Sequence, residues 1–451
     1  MKELFEYIDN NLDRYLSILK DFVEIPSVTH DKANISRCAE FLSCVLKSCG
    51  INSSIIQTDG NPVVYGEICT NENYQTLLIY GHYDVQPAGV LGGWDNDPFK
   101  LTIKGGKMFA RGVSDDKGQI LANIMGVEAF LKLKGTLPVN IKFMFEGEEE
   151  TGSQNLETFL KNNKRMLQSN LMFGSDTHIH MDGLPIVYLG NKGLLQIELT
   201  VTTSKTEVHS QNGPVVPNAA WILVDILKLI CDRNGNIGIN GFYDNITPPQ
   251  QEEFDAVNKI PFNNDEKTKN AGYSLLLNKR SKGYYSDLIF TPTCSITGLR
   301  SGFIEEGMKS IIPHQASAKL NFYLVPEQDP YDIVNKIEAD LLAENLLNGV
   351  DIKVFTSTKA SRLSIKNRYV PMFKKSISEV WGCDPLIIPN CPGTNPGFLF
   401  EKHLGLNFIL VPFGHADENA HADNENMPIE ALLKGIKTTT SIVNNLGNMF
   451  L

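Results

Sequence analysis

Four segments of the sequence share one construction, an apolar run followed at once by histidine, aspartate or glutamate. The side chains concerned are His82 and Asp84 in TLLIYGHYD, Glu149 and Glu150 in IKFMFEGEEE, Asp176 in NLMFGSD, and His421 in FILVPFGHADENAH. A fifth segment, ARGVSDDKG, places Asp115 directly before a predicted helix. Imidazole nitrogens and carboxylate oxygens are ligands suited to zinc, manganese or cobalt, and a carboxylate can also bridge two cations. These residue types indicate a metal site if the five segments converge.

The spacing within two of these segments indicates different roles for neighbouring residues, one binding a metal and the other supporting the ligand or transferring a proton. His82 can bind a metal while Asp84 accepts the other ring N–H and fixes the orientation of the imidazole. Of the adjacent Glu149 and Glu150, one can bind a metal while its neighbour takes a proton from water. Each feature alone also has a structural interpretation, since acidic residues are common at helix starts and aspartates are common N-caps. Their combination favours catalysis.

The elements around these residues predict how they are brought together. Short apolar strands at 76–80 and 140–145 alternate with a helix at 117–134. This pattern is typical of an α/β layer with a mainly parallel sheet. In open α/β sheets, ligands bind outside the carboxyl ends of the strands. We therefore expect the five segments to meet in one cleft.

The middle of the chain has a different pattern. A strand at 194–201 and a helix at 219–230 indicate a small α+β unit, and the polar, Asn-rich stretch 232–282 indicates irregular structure. We therefore predict a discontinuous α/β catalytic domain with an α+β domain inserted into it. The predicted boundaries are 1–190 and 358–451 for the catalytic domain and 191–357 for the inserted domain.

Composition narrows the classes of partner. The 451 residues include 41 Lys and Arg and 52 Asp and Glu, a formal net charge of −11. Such an acidic chain is poorly suited to a phosphate backbone, so no nucleic acid partner is expected. No apolar run reaches the roughly 20 residues that span a bilayer, and the first residues lack the pattern of a signal peptide, so no membrane partner is expected. Eight cysteines without a CxxC pair are typical of a reduced, cytoplasmic protein.

These motifs together resemble the dinuclear zinc metallopeptidase family of carnosinase-like dipeptidases, aminoacylase, acetylornithine deacetylase and succinyl-diaminopimelate desuccinylase. The resemblance covers nearly the whole chain and rests on GHYDVQP, ARGVSDDKG, EGEEETGS, GSDT, VHS, SIIPHQASAKLNFYLVPEQDP and ADENAH. It implies a zinc-hydrolase catalytic domain, an inserted lid and dimerisation domain, and a homodimer. It also implies two divalent metal ions per chain, zinc in the family, with a bridging hydroxide.

The resemblance implies a role for each residue of the metal site. The implied ligands are His82 and Asp176 for one ion, Glu150 and His421 for the other, and Asp115 as the bridge between them. Glu149 is the implied general base, and Asp84 supports His82. The peptide bond after Asp115 is expected to be cis.

Residues outside the metal site follow the family less closely. His209 in VHS is expected to stabilise the oxyanion in the partner's active site, and Gly393 and Thr394 to hold the carboxylate end of the substrate. Tyr323 stands where dipeptidases have an arginine that grips this carboxylate, and a phenol cannot form a bidentate charged clamp. The segment 210–216 also departs from the glycine-rich pattern that contributes to the dimer in relatives.

The predicted function is metal-dependent hydrolysis of a peptide or amide bond in a small substrate. A dipeptidase is the first hypothesis. An N-acyl amino acid deacylase is the alternative, because with Tyr323 the recognition of the carboxylate is altered, weakened or supplied by another cation, such as Lys319, Arg300 or Arg362. A catalytically dead binding protein is a remote alternative, since every implied ligand and the general base are present.

Overall fold

The computed structural model describes residues 1–89, 92–262 and 283–449. Its helices are α1 (Lys2–Asn10), α2 (Leu12–Val23), α3 (Lys32–Ser48), α4 (Lys117–Lys134), α5 (Leu156–Asn162), α6 (Lys164–Leu167), α7 (Ala219–Ile230), α8 (Gln251–Val257), α9 (Tyr284–Phe290), α10 (Pro330–Ala343), α11 (Val370–Trp381), α12 (Gly397–Leu404) and α13 (Ile429–Asn448). Its strands are β1 (Asn52–Ile56), β2 (Val63–Ile68), β3 (Thr76–His82), β4 (Thr102–Lys104), β5 (Lys107–Phe109), β6 (Asn140–Glu146), β7 (Leu171–Gly174), β8 (Ile186–Tyr188), β9 (Gly190–Asn191), β10 (Gly193–Thr202), β11 (Val208–His209), β12 (Thr293–Ser301), β13 (Ile311–Ile312), β14 (Gln315–Leu324), β15 (Val350–Thr358), β16 (Ser361–Arg362), β17 (Leu386–Ile388), β18 (Phe408–Leu410) and β19 (Asn426–Pro428).

The chain divides into two compact units. The first unit comprises Met1–Gly190, Leu363–Pro389 and Pro396–Leu451, and the second comprises Asn191–Arg362 and Asn390–Asn395. The chain therefore leaves the first unit, forms most of the second and returns. The short segment Asn390–Asn395 belongs to the second unit although both its neighbours in sequence belong to the first.

An eight-stranded sheet forms the centre of the first unit, with the strand order β1-β2-β6-β3-β7-β18-β8-β17. The strands β6, β3, β7 and β18 are adjacent and parallel. In β3 every side chain after Thr76 is buried, as expected for a strand that is covered on both faces. The expected α/β class with a mainly parallel sheet is confirmed.

The predicted helix at 117–134 is α4. It ends at Gly135, whose φ of 72° is left-handed and is readily adopted by a residue without a Cβ. Its residues from Lys117 to Phe130 are buried, and its apolar side chains share one core with the sheet and α13. Because α4 begins two residues after Asp115, this packing fixes the position of a candidate ligand.

The second unit contains a four-stranded antiparallel sheet with the order β12-β14-β10-β15. Leu223, Ile226 and Ile230 recur at helical spacing on α7 and pack with the sheet and with α10 in a separate core. The predicted strand at 194–201 lies within β10, and the predicted helix at 219–230 is α7. The strand β15 was not predicted, although its first residues alternate between apolar and charged side chains, a pattern typical of a half-buried strand.

The stretch 232–282, predicted to be irregular, contains α8. Residues 263–282 lie outside the described residues, so the prediction has no counterpart there. Across the described ranges, we find no helix that combines the length and the hydropathy needed to cross a membrane.

Candidate metal centre

The predicted site residues of the first unit follow the carboxyl ends of its four parallel strands. β3 ends at His82, and Asp176 comes two residues after the end of β7. A 3-10 turn, Glu149–Thr151, follows β6 and contains Glu149 and Glu150. His421 lies in the segment after β18. The structure brings these side chains to one edge of the sheet, where ligands bind in open α/β folds.

Two groups of three side chains share Asp115. In the first group, His82 Nε2 lies 3.1 Å from Asp115 Oδ1, and Asp176 completes the group. In the second, His421 Nε2 lies 3.0 Å from Asp115 Oδ2 and 3.1 Å from Glu150 Oε2. The candidate ligand atoms of each group lie within 4.8 Å of one another. Asp115 therefore presents one oxygen to each group, and its peptide bond to the next residue is cis, as expected.

The buried carboxylate of Asp84 lies behind these groups. Its Oδ1 accepts the backbone N–H of Glu149 at 3.2 Å. Its Oδ2 accepts the backbone N–H of Glu150 at 3.2 Å and the hydroxyl of Thr29 at 2.8 Å. His82 Nδ1 lies 3.1 Å from the Asp84 carbonyl oxygen and 3.4 Å from Oδ1. Asp84 thus links the end of β3 to the turn that carries the candidate general base.

Negative charge accumulates around the two groups. Burial raises the pKa of Asp176 to about 6, and the charge of Asp115 adds to this shift. Burial also raises the pKa of Glu149 well above its ordinary value, and the charge of Asp176 adds to it. The pKa of His421 rises to about 10 because its ring hydrogen-bonds with Asp115 and Glu150. The cleft therefore favours positive charge.

The chemistry of the donor set fits divalent cations. Two imidazoles and three carboxylates offer the nitrogen and oxygen ligands that zinc takes in proteins, and manganese or cobalt accepts the same set. Carboxylates that repel one another at such distances are stabilised by cations between them. His82, Asp115 and Asp176 could hold one ion, and Asp115, Glu150 and His421 a second.

Two residues in contact with this arrangement were not predicted. Gln86 donates its side-chain N–H to Glu150 Oε2 at 2.9 Å and its backbone N–H to Glu150 Oε1 at 3.2 Å. Its position in the GHYDVQP motif could have indicated this role. Thr29, which donates to Asp84, lies in a segment without a recognisable pattern, so the sequence carries no signal for it.

His209 and Tyr323 belong to the second unit. His209 ends β11 with an exposed imidazole, whose Nδ1 accepts the backbone N–H of Gln211 at 3.2 Å. Tyr323 is half-buried on β14, directly opposite Leu194 of β10. It therefore occupies a central strand, where the backbone holds its position.

The segment Asn390–Asn395 contains Gly393 and Thr394. The backbone N–H of Lys192 donates to the Gly393 carbonyl at 3.0 Å and so ties this segment to the start of β10. Among the described residues, neither amide atom of the buried Asn390 has a hydrogen-bond partner, and the hydroxyl of Thr394 has none. A buried polar group without a hydrogen-bond partner lowers the free energy of unfolding. The unpaired atoms of Asn390 and Thr394 can therefore still form hydrogen bonds with a ligand.

The fold and the grouped ligands define a metal-dependent hydrolase of the α/β class. Residues 78–445 match the family described as peptidase family M20/M25/M40. The match spans most of the chain, and the chain belongs to this family of metallopeptidases.

Full-length similarity to characterised proteins agrees with this membership. The chain is 28% identical over 473 residues to the Cys-Gly metallodipeptidase dug1 of Schizosaccharomyces pombe, covering 100% of this chain and 99% of the relative. It is 35% identical to the crystal structure of an M20 family metallo-carboxypeptidase from Sulfolobus solfataricus, with a TM-score of 0.90 and coverage of 96% and 99%. It is 26% identical to human carnosine dipeptidase 1, with a TM-score of 0.84 and coverage of 99% and 98%.

Proposed function

We propose that the chain is a metal-dependent dipeptidase. The observation that carries the proposal is the pair of ligand groups that share Asp115, with Glu149 adjoining one of their ligands. The names of two similar proteins, a Cys-Gly metallodipeptidase and a carnosine dipeptidase, support dipeptides as the substrate class. The first unit is the proposed catalytic domain, and the second the proposed lid and dimerisation domain.

We propose two divalent ions per chain, zinc in the first instance and manganese or cobalt as substitutes. The two ligand groups support the number, and their nitrogen and oxygen donors support the choice of metal. When bound, such ions polarise the scissile carbonyl and lower the pKa of water.

The side chains of the first unit move the proton and hold the geometry. Glu149 takes a proton from the attacking water and delivers it to the leaving amine, so that the broken C–N bond ends as a carboxylate and a free amine. Asp84 orients His82 and the turn that carries Glu149. His209 of the second unit is the proposed donor to the oxyanion in the active site of the partner chain, an interaction made mainly in the transition state.

The carboxylate end of the substrate is assigned to the segment Asn390–Asn395. Gly393 offers close backbone approach, and Thr394 has a buried hydroxyl without a partner in the described structure. Asn390 joins this set because both of its amide atoms are also unpaired there. Tyr323 contributes at most one hydrogen bond in place of the charged clamp of an arginine.

A carboxypeptidase is a second candidate, because the structure with 35% identity to this chain is named a metallo-carboxypeptidase. Both activities release a C-terminal residue and differ in the length of chain accepted at the other end. The N-acyl amino acid deacylase stays an alternative because of Tyr323. A dead binding protein is disfavoured, since the structure groups every implied ligand.

A homodimer is proposed through the second unit, and a cytoplasmic location is proposed from the cysteine pattern. The edge strand β12 exposes Ile296 and Leu299, and the neighbouring helix α7 exposes Trp221 at 69%. A second copy related by a two-fold axis could cover the same surface on both chains. Light scattering on Trp221→Glu tests this assembly, and a dimer with unchanged affinity would contradict the use of this surface.

The test of the function is hydrolysis by the zinc-, manganese- and cobalt-loaded chain. The substrates are dipeptides, the matching tripeptides and tetrapeptides, and N-acetyl and N-succinyl amino acids. Preference for dipeptides supports the proposal, preference for longer peptides the carboxypeptidase, and turnover of acyl amino acids alone the deacylase. Glu149→Ala is the matched inactive control. A chain that binds metal and hydrolyses none of these substrates would overturn the proposal.

A further inference from the structure

Glu425 is a fully buried carboxylate that accepts four hydrogen bonds from the segment before α4. Its Oε1 accepts the backbone N–H groups of Ser114 at 2.9 Å and Asp115 at 3.0 Å. Its Oε2 accepts the backbone N–H of Gly112 at 3.0 Å and the guanidinium of Arg111 at 2.8 Å. Each oxygen thus receives two donors, and the backbone that carries the shared ligand Asp115 is held at several points.

Arg111 extends this contact to the segment that carries His421. It is 2% exposed, and its second terminal nitrogen donates to the carbonyl oxygens of Ala422 at 3.2 Å and Pro87 at 3.3 Å. Ala422 directly follows His421, and Glu425 lies four residues after His421. The ion pair therefore ties together two stretches of backbone that each supply a ligand to the second group.

We infer that the Arg111–Glu425 pair is a positioning device for the group formed by Asp115, Glu150 and His421. It sets the separation of Asp115 and His421, and through this the affinity for the ion assigned to that group. The inference rests on the proposed two-ion site. The other group shares Asp115, but its two further ligands, His82 and Asp176, are placed by β3 and β7, which pair directly with each other, so it depends less on the pair.

A glutamine cannot replace Glu425 in this arrangement. Its amide has one acceptor oxygen, and its NH2 group would face two N–H donors whichever way it is turned. Either orientation displaces the backbone of Asp115 or releases Arg111. Arg111→Lys is a milder change, since the ammonium can still meet Glu425 but does not reproduce the planar fork that also reaches Ala422.

The experiment is a metal titration of the chelator-treated chain with zinc and with cobalt, followed by elemental analysis. Glu425→Gln is expected to weaken the affinity for one of the two ions about 10- to 100-fold and to affect the other ion less. Arg111→Lys is expected to change the affinity in the same direction by a smaller factor. In a His421→Asn background, Glu425→Gln should have little further effect on metal binding, because the affected group is already incomplete.

Glu128→Gln is the matched control. Glu128 is also buried, pairs with Arg14 at 2.8 Å, and lies roughly 16 Å along α4 from the N-terminal end of that helix. It should lower the unfolding temperature and leave both ions bound.

Equal metal affinities in the wild type, Glu425→Gln and Arg111→Lys would overturn the inference while leaving the two-ion proposal intact. Failure of the wild type to bind two ions would overturn the proposed site itself. If Glu425→Gln does not fold, Arg111→Lys decides alone.

Discussion

Asp84 stands directly behind His82, with its carboxylate Oδ1 3.4 Å and its carbonyl oxygen 3.1 Å from the imidazole Nδ1. The opposite ring nitrogen, Nε2, faces Asp115 at 3.1 Å. The imidazole thus has one nitrogen held by Asp84 and the other turned toward the shared ligand. Such a pairing fixes the tautomer and raises the basicity of a metal-binding histidine.

Asp84→Asn is therefore expected to weaken metal binding about 10- to 100-fold. The asparagine NH2 would also face a backbone N–H from Glu149 or Glu150, which should lower the free energy of unfolding by about 1–3 kcal/mol. Chelator competition and thermal unfolding measure the two effects. Thr29→Val is the control, because it removes only the 2.8 Å hydrogen bond to Asp84. Metal affinity in Asp84→Asn equal to that of Thr29→Val would count against an orienting role.

Glu149→Gln tests the proton transfer. The variant keeps the size of the side chain but cannot accept a proton from water, so kcat/KM should fall by about 10²- to 10⁴-fold while both ions stay bound. Glu148→Gln is the neighbouring control, since Glu148 accepts the backbone N–H of Asn61 at 3.0 Å and of Asn155 at 3.2 Å. It should mainly reduce stability. Comparable rate losses in the two variants would remove the case for Glu149 as the base.

Four of the five ligands could be predicted from the sequence because each follows a short apolar run, and parallel strands bring their carboxyl ends to one edge. His82, Asp176 and Glu150 are all placed in this way. Glu425 could not be found, since its partner Arg111 lies 314 residues away and no local pattern distinguishes it from other acids in the segment. Asn390 could not be predicted for a related reason, because its burial depends on contacts with residues that are distant in the sequence.

The metal-free chain is expected to lose stability as the pH rises. The pKa of Asp176 is about 3.9 in the unfolded chain and about 6 in the folded chain, so the folded state binds more protons between these pH values. His421, with a folded pKa of about 10 against about 6.5, acts in the same direction at higher pH. Through this shift, Asp176 lowers the free energy of unfolding by no more than about 3 kcal/mol as the pH rises, and screening by solvent makes the loss smaller.

Thermal unfolding between pH 4.5 and 9 measures this dependence with and without chelator. Bound ions neutralise the carboxylates, so the stabilisation by metal should grow as the pH rises. In metal-free Asp176→Asn, the decline between pH 4.5 and 6 should be smaller than in the metal-free wild type. A metal-induced rise in unfolding temperature that stays constant across the range would contradict the expected accumulation of charge.

Asn390→Leu separates substrate binding from a structural role. The leucine has the same number of side-chain heavy atoms and no unpaired polar atoms. The cost of its bulkier methyl groups is opposed by the removal of two unpaired buried groups, so the free chain should be about as stable as the wild type. If the Asn390 amide binds substrate, KM should rise about 10-fold, in line with the loss of about 1.4 kcal/mol of hydrogen bonding.

Asn191→Leu is the control, because the Asn191 amide donates to the Lys192 carbonyl oxygen at 2.9 Å and accepts from the Ser361 hydroxyl at 2.7 Å. The control should be less stable by about 1–3 kcal/mol. An Asn390→Leu chain that is destabilised to the same extent, with KM unchanged, would show that Asn390 serves the fold.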